Sequence, residues 1–81
     1  MQLNETHEQY HFQYGSDHAL GHFITVYDSE NGDPNDDDGI IFEVDMFTQR
    51  GTTPELTALA KEVVSLSYNG MLQQIRKYLN V

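Results

Sequence analysis

The chain contains no cysteine. That removes disulfides, thiolate metal sites and thiol nucleophiles from consideration, and fits a reducing, cytoplasmic setting. Positive charge is scarce as well: four Lys and Arg stand against thirteen Asp and Glu, for a net charge of -9. The first 49 residues hold eleven carboxylates and no Lys or Arg, a balance of -11, and the remainder carries +2, which sums to -9. Such a surface is repelled by nucleic acid and by anionic lipid, so neither is expected as a direct partner. No apolar run approaches the roughly 20 residues needed to cross a bilayer. The opening MQLNETHEQYHF lacks the charged and apolar regions of a signal peptide.

Low hydrophobicity with high net charge also describes disordered chains. Here the apolar residues are periodic and confined to a few segments, which argues for one small folded domain over residues 1–81. Residues 1–7 read as a frayed lead-in. In Glu8 to Tyr14, the residues Tyr10, Phe12 and Tyr14 alternate with His11 and Gln13, the period of a half-buried strand. A second strand runs from His22 to Asp28. Its inward face is ambiguous between Ile24 with Val26 and Phe23 with Thr25 and Tyr27.

The segment from Ser29 to Asp38 is a loop, and a third strand follows from Gly39 to Phe47. Ile40, Phe42, Val44 and Met46 make its wholly apolar, core-facing side; Ile41, Glu43, Asp45 and Phe47 make the other. Short connections imply antiparallel pairing, because a parallel pair needs a long crossover.

After Gly51 the period becomes helical. Thr53, Pro54 and Glu55 form a helix start, followed by the apolar stripe Leu56, Leu59, Ala60, Val63 and Val64. One unbroken helix to Leu79 would be about 39 Å long, and would overhang strands of about 24 Å. A break or kink near Asn69-Gly70 is therefore expected. The fold class is α+β: a three-stranded antiparallel β-meander with one kinked or two consecutive C-terminal helices on one face (β-β-β-α-α).

Eight of the acids fall between Asp28 and Asp45. The run Asp33-Pro34-Asn35-Asp36-Asp37-Asp38-Gly39 invites a calcium reading, with Asp33, Asp36 and Asp38 as the alternative ligands. Aligned on its glycine, the helix-loop-helix calcium motif would put Pro34 at its first ligand position, and the flanks read as strands. A looser calcium site is the alternative; otherwise no cofactor is expected. The histidines at 7, 11, 18 and 22 are spaced by four. Four strand residues span about 13 Å, too far for one zinc ion to take both members of the first pair. Glu43 and Asp45 resemble paired acids of a glycosidase in spacing alone, and no phosphate loop or nucleophile elbow is present. Catalysis is not expected.

A binding surface is. Asp28, Glu30, Asp33, Asp36, Asp37, Asp38, Glu43 and Asp45 would steer a basic protein surface, with Phe23, Tyr27, Ile41 and Phe47 as apolar anchors. Same-face carboxylates along a strand lie about 7 Å apart, near the spacing of nucleic-acid phosphates. An inhibitor or adaptor that mimics nucleic acid in a basic groove is the expected function, as in acidic phage anti-defence proteins, an analogy of charge and size. A homodimer through the sheet face is the remaining alternative.

Overall fold

The computed structural model describes residues 1–30 and 39–81. Its described residues form a five-stranded antiparallel sheet in sequential order, with two C-terminal helices on one face. The strands are β1 (Gln2–His7), β2 (Tyr10–Asp17), β3 (Gly21–Asp28), β4 (Ile40–Val44) and β5 (Gln49–Gly51). The helices are α1 (Pro54–Val63) and α2 (Tyr68–Leu79). The α+β class and the meander agree with the sequence; the strand count of three does not.

The two additional strands lie at the sheet edges. Residues 1–7 are not a loose lead-in: β1 pairs along its whole length with β2, from Gln2 opposite Gly15 to His7 opposite Tyr10. The intervening turn is Glu8–Gln9, with Glu8 in the left-handed region at φ 56°. It lacks the Asn-Gly or Gly signature that announces most tight hairpins, so the sequence hides it. The short β5 follows a turn closed by Asp45 and is held by pairs to Phe42, Glu43 and Val44.

The core lies between sheet and helices. Phe12 and Tyr14 from β2, Ile24 and Val26 from β3, and Phe42 and Val44 from β4 meet Leu56, Ala60, Val63, Met71, Leu72 and Ile75. That resolves the ambiguity in β3: Ile24 and Val26 point inward, and Phe23, Thr25 and Tyr27 outward. In β4 the simple alternation fails. Val26 pairs with Phe42 and Tyr27 with Ile40, so Ile41 is an extra residue in a β-bulge. The bulge turns Ile41 into the core, at 6% exposure, and leaves Ile40 half-exposed. Met46, expected inside, lies beyond the strand and is exposed.

Each helix is capped as its sequence allows. The Thr53 hydroxyl accepts the Leu56 N–H, with Pro54 at the first helical position. The chain breaks after Val63, earlier than Asn69-Gly70. Ser67 starts α2 by accepting the Gly70 N–H, so Asn69 and Gly70 occupy its first turn. Asn80 ends α2 in the left-handed conformation.

Candidate functional site

Alternating turns give the sheet two distinct ends. The β1–β2 turn and the β3 terminus share one end, where the Ser29 N–H donates to the Gln9 carbonyl at 2.9 Å. Tyr10 pairs with Asp28 there. Burial, then the charges of Asp28, Glu30 and Glu8, push the Tyr10 phenol up. Strand pairing thus gathers three carboxylates at this end of the sheet. Asp28 and Glu30 were expected at an acidic site, but Glu8 was not, because its turn could not be read. Asp28 also orders its own terminus by accepting the Glu30 N–H at 3.0 Å.

Asp33, Asp36, Asp37 and Asp38 lie outside the described residues, and so does the alternative calcium site. Among the described residues, no group of three His, Asp or Glu side chains is placed to hold a metal ion. His7 and His11 sit on opposite sides of the sheet, as their registers opposite Tyr10 and Thr6 require. His22 is engaged by α2, its Nδ1 accepting the Tyr68 N–H at 3.1 Å.

The outer sheet face, uncovered by helices, carries a row across all five strands: Asn4, Gln13, Thr25, Glu43 and Arg50. Beside it runs Thr6, His11, Tyr27 and Ile40. Phe23 and Tyr27 stand on this face as two of the expected anchors. Glu43 stands there too, but Arg50 Nη2 and Nε approach its Oε2 at 2.6 and 3.0 Å. One of the four basic residues therefore neutralises the central carboxylate of the face.

Three expected site residues lie elsewhere. Ile41 is a core residue, for the reason given by the bulge. Asp45 is buried to 8% exposure, and its Oδ1 accepts the N–H groups of Phe47 and Thr48 at 2.7 and 2.8 Å. A carboxylate spent on its own turn is a fold residue. Phe47 is 72% exposed, but at the end opposite Asp28 and Glu30.

That opposite end exposes apolar side chains beside the exposed carboxylate of Asp17, whose Oδ1 accepts the Ala19 and Leu20 N–H groups at 2.7 and 3.2 Å. The Met46 N–H donates to the Leu20 carbonyl at 2.9 Å, joining the β4–β5 and β2–β3 turns. Leu20, Met46, Val64 and Leu66 line a shallow groove there. Glu8, Asp28 and Glu30 thus gather at one end of the sheet, while exposed Leu20, Met46 and Phe47 gather at the other, beside Asp17. No helix among the described residues is long and apolar enough to cross a membrane. Comparison with protein-family models, curated proteins and solved structures finds no match.

Proposed function

We propose that this chain is a non-catalytic binding protein whose acidic end docks on a basic protein surface, in the cytoplasm. The observation that carries the reading is that strand pairing brings Glu8, Asp28 and Glu30 to one end of the sheet. The sequence adds four more aspartates between Glu30 and Gly39, and no Lys or Arg before Arg50. Like charges gathered at one end cost the fold self-repulsion, which a cationic partner would relieve. Tyr27 on the open face supplies apolar area beside the charge, and Phe23 continues that face farther along β3, the mixture an interface core and rim require. A basic groove that ordinarily holds a nucleic-acid backbone has the complementary sign, so inhibition by occupying such a groove is the specific form of the proposal.

The test is the salt and charge dependence of a captured partner. The tagged chain is used as bait, and the partner is titrated against the native chain and the E8Q/D28N/E30Q variant. Steering predicts association about tenfold slower for the variant, and steep weakening between low and high salt. A partner indifferent to both would overturn the reading.

A further inference from the structure

We infer that the outer edge of β1 is a strand-addition site, which takes an extended, lysine- or arginine-bearing segment of the partner in antiparallel pairing. The inference rests on the proposed docking of a basic protein and specifies how that protein is held.

The argument starts at the first residue pair. Met1 and Ser16 exchange both backbone hydrogen bonds, at 2.9 and 3.2 Å. In an antiparallel ladder, doubly bonded and unbonded pairs alternate. Leu3, Glu5 and His7 therefore bond to β2, and the N–H and C=O groups of Gln2, Asn4 and Thr6 point away from it. Among the described residues nothing pairs with them. The helices do not cover this edge either: α2 lies over β2 and β3, and α1 over β4 and β5.

Exposed edges are ordinarily blunted by proline, lysine, bulges or brevity. β5 is blunted, at three residues. β1 has six residues, Gln-Leu-Asn-Glu-Thr-His, with no proline, lysine or bulge. Its one device is Glu5, an ionised carboxylate on the helix side.

Charge then selects the occupant. The two fullest registers for a second copy that keep both helix layers on one side set Glu5 against Glu5 or against Leu3. Both also bring together chains of charge -9. A cationic segment meets no such opposition. Running antiparallel, its residues before the paired stretch extend past His7 onto Glu8 and Asp28, so edge and acidic end form one track.

The probe is a short synthetic peptide, lysine-rich at its N-terminal end and then alternating threonine and valine with one further lysine. Two N-methylated isomers of equal charge accompany it. One is methylated where its N–H groups would face β1, the other at the intervening residues. Binding is read by chemical-shift titration of the full chain. Strand addition predicts loss of about tenfold or more for the first isomer and little for the second. Asn4→Pro should weaken the parent peptide similarly without unfolding the chain, because that N–H bonds to nothing in β2.

Equal, salt-sensitive binding of both isomers would overturn the edge site and leave acidic docking intact. Binding that ignores salt, or no binding at all, would count against both. Should the chain alone sediment as a dimer that Asn4→Pro dissolves, the edge belongs to a second copy and the inference fails.

Discussion

The Tyr14 hydroxyl donates to Glu5 Oε1 at 2.7 Å, tying β2 to the edge strand on the helix side of the sheet. The second oxygen of Glu5 lies 3.1 Å from His7 Nε2. These two contacts, Tyr14 first and His7 second, hold the Glu5 carboxyl below the ordinary glutamate range, and the Arg76 charge adds a little more. The same hydrogen bond raises the Tyr14 phenol.

A depressed carboxyl pKa has a definite sign in stability. The stabilisation is present above the ordinary glutamate range and is lost as pH falls through the folded-state value. Tyr14→Phe should move the Glu5 midpoint upward, and cost about 1 kcal/mol at neutral pH. A side-chain NMR titration paired with chemical denaturation measures both. An unmoved Glu5 midpoint would show that the phenol is not its principal partner.

The bulge in β4 predicts an asymmetry between adjacent isoleucines. Ile41→Ala should destabilise by about 2–4 kcal/mol, as a buried truncation does. Ile40→Ala, opposite Tyr27 on the open face, should cost under about 1 kcal/mol. Denaturant midpoints of the two variants decide it. The reverse order would restore the simple alternation that the sequence implies.

That pair of residues also shows where reading the sequence stops. The strand period in Tyr10 to Tyr14 and the apolar stripe from Leu56 to Val63 follow from local rules, and both hold in the fold. A bulge inverts inside and outside without any change of residue type, so Ile40 and Ile41 were exchanged. β1 is polar at five of its six residues because it is an edge whose helix-side face the helices leave uncovered, and polarity made it look like a tail. Asp45 looked like a surface charge because its hydrogen bonds run to backbone N–H groups that only the β4–β5 turn brings near. At the acidic end, Asp28 and Glu30 were legible by composition. Glu8 joins them only through strand pairing, which the sequence does not announce.

At Gly51 the sheet runs close against the first turn of α1. A Cβ there would collide with the Leu56 side chain, and would lie 2.6 Å from the Leu56 carbonyl carbon and 2.8 Å from the Thr57 nitrogen. Two of these are helix backbone atoms, which do not yield as a side-chain tip does. Gly51→Ala should therefore cost about 1–3 kcal/mol by overpacking, read as a lower denaturant midpoint at unchanged slope. Full stability in that variant would mean that α1 can ride away from β5 freely.

Asp45 separates the fold from the proposed interface. Its side chain accepts from Phe47 and Thr48, while the Gln49 side-chain amide donates to its carbonyl at 2.9 Å. Asp45→Ala removes two acceptor contacts from a turn and should cost about 1–2 kcal/mol. Asp45→Asn keeps an acceptor oxygen and should recover much of that. Because this carboxylate is buried at the end opposite Glu8, Asp28 and Glu30, its removal should leave the capture rate of a basic partner within about twofold of the native rate, as expected for a charge beyond a Debye length of the contact. Stopped-flow association of Asp45→Asn beside E8Q/D28N/E30Q makes the comparison. A slowing by Asp45→Asn as large as that of the triple variant would mean that steering tracks total charge rather than the acidic end.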